Sequence, residues 1–266
     1  MYLSYLNIYF VLNTIMILGI LLFMLFGITH LTYGIDVYYE FISVFFYTFN
    51  LYNVVFYVLN KYSKSFNNIN PEHKKMYVVK NYIKSFYLAC LCFTLPYYIN
   101  GQYDILFIKR CAIYYFMNDI IGLLLVDKLP STTKVHHCTT SLCGLFILMK
   151  EDNKVDIITL IVLYAIFSSL TFLVNFYLGY RVQSINIMIK YYLSQTANAI
   201  YMISCIINWS LQLYLFYGII WTIPIYQTIL YICFLYSVIK DDLVLMHWLY
   251  NDQCKYKKCI NFWNLL

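Results

Sequence analysis

Residues 114–145 read YYFMNDIIGLLLVDKLPSTTKVHHCTTSLCGL. We expect the rest of the fold to be organised around this stretch. Two apolar runs flank a short polar hairpin, and they carry Asp119 and the adjacent pair His136 and His137. An ionisable side chain in a lipid-embedded helix is costly unless it faces the protein interior or water, so each one is a candidate for function. Three such residues close together predict a site on the inner side of a membrane-helix hairpin.

Composition places the chain among membrane proteins. Hydrophobic residues make up 62% and charged residues 11% of the sequence, against about 45–50% and about 25% in soluble domains. The formal net charge of +6 is spread over loops and the tail rather than over one basic patch, so we expect no nucleic-acid partner. The nine cysteines show neither zinc-ligand spacing nor a disulfide framework. We therefore expect an all-α, multi-pass membrane protein.

Hydropathy divides the chain into about seven or eight transmembrane helices. Residues 191–220 are too many for one untilted helix, so they form either one tilted span or two short spans broken near Asn208. The lysine-rich stretch 61–81 predicts a cytosolic loop, on the same side as the tail after Tyr250 and as both termini. The expected spans cover residues 8–31, 36–60, 82–100, 104–126, 135–150, 156–180, 191–220 and 227–250.

The histidine pair favours proton transfer over metal binding. Adjacent helical residues project about 100° apart, so we expect that His136 and His137 do not share an ion and that no metal is bound. A neutral imidazole is a good proton acceptor near physiological pH, and Asp119 on the preceding span could orient it. Thr140 lies four residues after His136 and shares its helix face. The alternative is that the pair marks only a water-facing helix terminus.

The order of these elements resembles the core of the TLC domain, the family that includes the ceramide synthases. In that family a span with an aspartate precedes a span that reads His-His-x-x-Thr, matched here by His136, His137 and Thr140. The resemblance implies that His136, His137 and Asp119 are the catalytic residues.

The next span extends the resemblance. Many family members read Ala-Glu-Leu-Ser-Ser-Pro-Phe-x-Asn there, and AIFSSLTFLVN, residues 165–175, is similar. It keeps Ser168, Ser169 and Asn175, which the resemblance implies as substrate-binding residues together with Thr140.

Two departures from the family pattern leave open whether the chain is catalytic. Ile166 stands where many members have an acidic residue, and the adjacent Asp241 and Asp242 do not match the family's later paired aspartates. The resemblance covers roughly residues 40–258.

The resemblance implies a TLC-type helical barrel around a lipid-accessible cavity. Residues 1–35 would form an N-terminal transmembrane helix, residues 36–258 the TLC-like domain and residues 259–266 a short tail. The implied activity is acyl transfer from acyl-CoA to a lipid amine or hydroxyl, without a cofactor, in an endomembrane like the endoplasmic reticulum. The alternative is a non-catalytic protein that binds or senses lipid and tunes membrane composition. Membrane lipids are the expected partners in both cases, and a homodimer is an open alternative to a monomer.

Overall fold

The computed structural model of the chain describes residues 37–96, 105–148, 156–183 and 186–263. Within these ranges the secondary structure is helical, without strands, which confirms the all-α class for this part of the chain. The span expected at residues 8–31, and with it the expected domain 1–35, lies outside the described residues.

The described residues form a series of helices. Asp156 caps the helix Ile157–Ser168 by accepting a hydrogen bond from the backbone N–H of Thr159, at 2.9 Å. A 3-10 turn, Ser169–Thr171, joins this helix to the helix Phe172–Tyr180. The helices are α1 (Val37–Tyr62), α2 (Lys64–Asn67), α3 (His73–Cys92), α4 (Ile105–Leu125), α5 (Ser131–Leu148), α6 (Ile157–Ser168), α7 (Phe172–Tyr180), α8 (Ile187–Ile219) and α9 (Ile225–Trp263).

Three described segments are long and apolar enough to cross a membrane. They are Tyr39–Tyr62, Ile157–Tyr180 and Ile187–Ile219, with mean hydropathies of 1.5, 2.5 and 1.5. Large apolar side chains are also exposed on the outside of the bundle, for example Ile206 on α8 and Leu230 on α9. Exposed apolar surface on this scale marks contact with a membrane or a partner. These features indicate a membrane protein.

The helix α3 begins earlier than the sequence predicts. It starts at His73 rather than at residue 82, so the second half of the predicted loop 61–81 is helical. Val78 and Val79 are fully buried and pack against α1 and α4, which draws this turn of helix into the bundle. Lys80, which we expected in a cytosolic loop, is buried as well.

The helix α8 runs unbroken from Ile187 to Ile219, so the alternative of two short spans is wrong. Asn208 does not break it because the side-chain amide finds partners on α6: it donates to the Tyr164 carbonyl at 3.0 Å and to the Ser168 hydroxyl at 3.2 Å. The helix α9 also continues past residue 250, so residues 259–263 of the expected tail are helical.

The loop after α1 and the far end of α9 lie at the same end of the bundle. The Ser65 hydroxyl donates to the Gln183 side chain at 2.8 Å, and the Gln183 amide donates to the Tyr82 hydroxyl. Only a few residues before Gln183, the Tyr177 hydroxyl donates to Asp252 on α9. These contacts place Ser65, in the predicted loop 61–81, and Asp252 on α9 at one end of the bundle. That the loop and the tail share the cytosolic side of a membrane stays a prediction.

The helix α4 lies at the centre and packs against α1, α3, α5 and α6. Its contact with α5 is close because Gly144 on α5 has no side chain. A Cβ atom at Gly144 would stand 2.1 Å from the ring of Phe116, which is itself buried in the main apolar core. This close approach brings Asp119 on α4 beside the histidines of α5.

Candidate functional site

A cavity of about 240 Å³ lies inside the helix bundle. Each helix from α3 to α9 contributes to its wall, as do Pro130 in the turn between α4 and α5 and Arg181 after α7. Pockets for drug-sized ligands span about 300–1,000 Å³. The cavity therefore has room for a headgroup or the reacting end of a larger molecule rather than for a complete lipid.

Asp119 is fully buried beside this cavity and has three partners. The Lys84 ammonium on α3 forms an ion pair with Oδ1, and the Thr140 hydroxyl on α5 donates to Oδ2 at 3.0 Å. Nδ1 of His137 lies 3.0 Å from Oδ1. Because a buried carboxylate is tolerated only when it is paired, these contacts explain how α4 carries a charge into the core.

The two imidazoles lie side by side in the cavity wall. Their ring centroids are 5.5 Å apart and the ring planes meet at 73°. The His137 side chain is 5% exposed, and its Nε2 is buried without a hydrogen-bond partner among the described residues. The His136 side chain is more open, at 13%, and its Nδ1 lies 3.8 Å from Oδ2 of Asp241 on α9. The structure thus brings together the three residues that the sequence predicts as the catalytic group, and it adds Asp241.

The same three residues form the one group within the described ranges whose ligand atoms could hold a metal ion. Oxygen or nitrogen atoms of Asp119, His136 and His137 lie within 4.8 Å of one another, so the angle between adjacent helical residues does not keep these atoms far apart. Charge is the stronger argument against an ion. Asp119 is already paired with Lys84, and the ammonium of Lys80 is close enough to interact electrostatically with Asp119. A divalent cation would be repelled by both lysines. The absence of a bound metal stays a prediction.

The sequence patterns gave no role in the site to the charged residues on α3 and α9. Lys80 and Lys84 are four apart in the sequence and so lie on one helix face, which points into the bundle. That spacing within the run MYVVKNYIK, residues 76–84, was the available signal.

Asp242 on α9 also has no predicted role, because Asp241 and Asp242 do not match the family's paired aspartates. It is buried and accepts hydrogen bonds from the Tyr201 hydroxyl at 2.7 Å, from Nε1 of Trp209 at 3.1 Å and from the Tyr164 hydroxyl. Asp242 therefore ties α9 to α6 and α8. The adjacent Asp241 is left to face His136.

The four expected substrate-binding residues divide into two groups. Ser168 and Asn175 line the cavity, and Ser168 also donates to the Tyr164 carbonyl at 2.8 Å. Thr140 instead holds Asp119, and Ser169 is fully buried, where it accepts a hydrogen bond from the Cys92 thiol at 3.4 Å.

Ile166, which replaces the family's acidic residue, is buried in the main apolar core. It is surrounded by apolar side chains and is not part of the cavity wall.

The fold and the cavity define a class of protein: a helical membrane protein whose ionisable side chains converge on an internal cavity. Comparison of the chain with protein-family models, curated proteins and solved structures finds no match.

Proposed function

We propose that the chain is a TLC-type membrane enzyme that transfers an acyl group from a long-chain acyl-CoA to an amine or hydroxyl of a lipid. The main support is the presence of two carboxylate–histidine pairs at one internal cavity. Asp119 lies against His137, and Asp241 lies against His136. An imidazole with a carboxylate on one side and a cavity on the other is placed to act as a general base.

In this mechanism His136 is the base, because its side chain is the more open of the two. It accepts the proton of the lipid hydroxyl or amine while that oxygen or nitrogen bonds to the thioester carbonyl carbon. The carbon–sulfur bond breaks, coenzyme A leaves as the thiolate, and the proton then passes from the imidazolium to the sulfur. Asp241 stabilises the imidazolium, while Asp119 and Lys84 fix His137 beside it. General-base help of this kind contributes about 10²–10⁴-fold in rate.

The proposal includes about seven or eight membrane spans, more than the three described segments that are long and apolar enough to cross a membrane. Charged residues occur in the helices α3, α4, α5 and α9. Two of these residues near the middle of their helices, Lys84 on α3 and Asp119 on α4, are buried within the bundle. Outward positions carry apolar residues, for example Phe86 on α3 and Phe146 on α5. Inward-facing charges of this kind are compatible with a membrane span.

The orientation in the proposal follows from the basic loops. The cavity wall includes Arg181 and Trp248, which lie at the end of the bundle that carries the lysine-rich loop after α1. By the positive-inside rule this end is cytosolic. A charged, water-soluble donor such as acyl-CoA would then reach the cavity from the cytosol, as expected for an endoplasmic-reticulum-like membrane.

One observation favours a second candidate, a non-catalytic protein that binds lipid and tunes membrane composition. Ile166 lies in an apolar core where the family pattern has an acidic residue, so a polar group that many family members carry is missing here.

Lipid analysis of cells that express the protein tests both candidates. We compare wild type, the double variant His136→Ala/His137→Ala, and the control His247→Ala. His247 is a good control because it is exposed on α9, outside the cavity wall, and its Nε2 shares a hydrogen bond with the Asn251 amide at 2.9 Å. We expect one N-acylated or O-acylated lipid class to rise with wild type and the control but not with the double variant. Equal amounts of acylated lipid with the double variant would contradict acyl transfer, and altered membrane composition without any acylated product would favour the second candidate.

A further inference from the structure

The cavity contains a buried cation that the proposed reaction does not use. Lys80 on α3 is 4% exposed and lies in the cavity wall. Its stem runs along Gly122 of α4, where a Cβ atom would stand 3.3 Å from Lys80 Cγ. Among the described residues, its ammonium has no hydrogen bond and no carboxylate within 4.0 Å.

The carboxylates that surround the cavity are already engaged. Asp119 is paired with Lys84, and Asp242 accepts hydrogen bonds from three side chains of α6 and α8. Asp241 faces His136. Asp119 and Asp241 contribute a favourable electrostatic potential at Lys80, but neither of them lies within 4.0 Å of its ammonium.

A second cation in the wall lacks an anionic partner too. The Arg181 guanidinium stacks on the Trp248 ring, with 3.5 Å between Cζ and the ring centroid. Its Nε is buried without a hydrogen-bond partner, and no carboxylate of a described residue lies within 4.0 Å of it. Burying a charge is expensive unless it is paired, so cations in such positions mark ligand sites more often than they stabilise a fold.

We propose that Lys80, supported by Arg181, binds an oxyanion, either a phosphate or a carboxylate, that is carried by the lipid in the cavity. A lysine ammonium is a compact point charge and suits oxyanions of either kind. The inference rests on the proposed function only in taking the cavity as the lipid site. It adds a substrate class: the lipid that enters the cavity is anionic.

Binding to the purified full chain in detergent tests the inference. The probes 1-oleoyl-lysophosphatidic acid and 1-oleoylglycerol share the acyl chain and the glycerol, and they differ only in the phosphate. We expect wild type to bind the phosphate lipid about 10- to 100-fold more tightly, as charge-assisted hydrogen bonds allow. Lys80→Met should remove most of this preference. Lys75→Met should leave it unchanged, because Lys75 is on the same helix, away from the cavity wall, beside the exposed Glu72.

A second variant and two further ligands distinguish the remaining outcomes of the binding experiment. Arg181→Met should also reduce the preference, which provides a second variant if Lys80→Met does not fold. Oleate identifies a carboxylate site if it binds in a Lys80-dependent way. Equal binding of the two glycerolipids and no Lys80-dependent binding of oleate, or a preference that survives Lys80→Met, would overturn the inference. Inorganic phosphate that binds as tightly as the phosphate lipid and displaces it would overturn the assignment to a lipid.

The anion site and the proposed reaction fail separately. His136→Ala removes the proposed base but should keep the preference for the anionic lipid. If wild type prefers the anionic lipid but transfers no acyl group, the anion site is supported and the proposed reaction is refuted. If wild type transfers an acyl group but shows no Lys80-dependent preference for the anionic lipid, the reaction is supported and the anion site is refuted.

Discussion

Replacing one member of the Lys84–Asp119 ion pair should destabilise the protein far more than replacing both. The two side chains are 7% and 0% exposed, so the variant Lys84→Met leaves a carboxylate buried without its cation. Breaking a buried pair in this way costs about 3–5 kcal/mol. Asp119→Leu should cost a similar amount because it strands the Lys84 ammonium and also removes the acceptor of the Thr140 hydroxyl.

The double variant Lys84→Met/Asp119→Leu removes both charges and substitutes apolar side chains. Apolar replacement of a buried pair is often close to neutral. The double variant should therefore be more stable than either single variant, and its loss should fall short of the sum of the single losses by about 3 kcal/mol. The free energy of unfolding in mixed detergent micelles, titrated with sodium dodecyl sulfate, measures these differences.

An ion pair with one exposed partner provides the control for this cycle. Lys75 is itself buried, but it lies 3.6 Å from Glu72, whose side chain is 83% exposed, so loss of this ion pair in Lys75→Met should cost less than about 1 kcal/mol of the free energy of unfolding. Additive losses in the Lys84–Asp119 cycle, or single variants as stable as wild type, would show that the two charges are not paired inside the bundle.

Three further predictions concern packing, topology and metal. Gly144→Ala should cost about 1–3 kcal/mol because the added methyl meets the Phe116 ring, whereas Gly218→Ala in α8 meets nothing within 4 Å and should be neutral or slightly stabilising; thermal unfolding of the two variants compares them. With the nine native cysteines replaced, single cysteines at the exposed positions Lys64 and Lys257 should react with an impermeant reagent from the same, cytosolic side, and labelling from opposite sides would contradict the shared end of the bundle. Purified protein should carry no stoichiometric zinc or iron, and metal that is lost when either histidine is replaced would contradict the role given to Lys84 and Lys80.

The part of the site that the sequence predicts comes from residues in one hairpin. Asp119, His136 and His137 stand out because each interrupts or borders an apolar run, and the short connection between α4 and α5 brings them together. The all-α class could be predicted from the high hydrophobic and low charged content of the sequence, which is typical of helical membrane proteins.

Other residues of the site could not be predicted, because their sequence context indicates a different structure or because their partners are distant in sequence. Lys80 follows a run of lysines that reads as a loop, although Val78 and Val79 already turn this segment into the core. Asp241 is far from the hairpin in sequence, and only the packing of α9 against α5 brings it to His136. The continuity of α8 through Asn208 likewise depends on acceptors supplied by α6, a contact between distant segments that local sequence does not show.

The most direct test of acyl transfer measures coenzyme A release and acylated lipid together, with purified protein, a long-chain acyl-CoA and lipids that offer an amine or a hydroxyl. We predict stoichiometric release and acylation by wild type and by His247→Ala, and a rate lower by about 10²-fold or more for His136→Ala, because the proposed base is lost. Coenzyme A release that is unchanged in His136→Ala, or wild type that acylates no lipid at all, would contradict the proposed reaction.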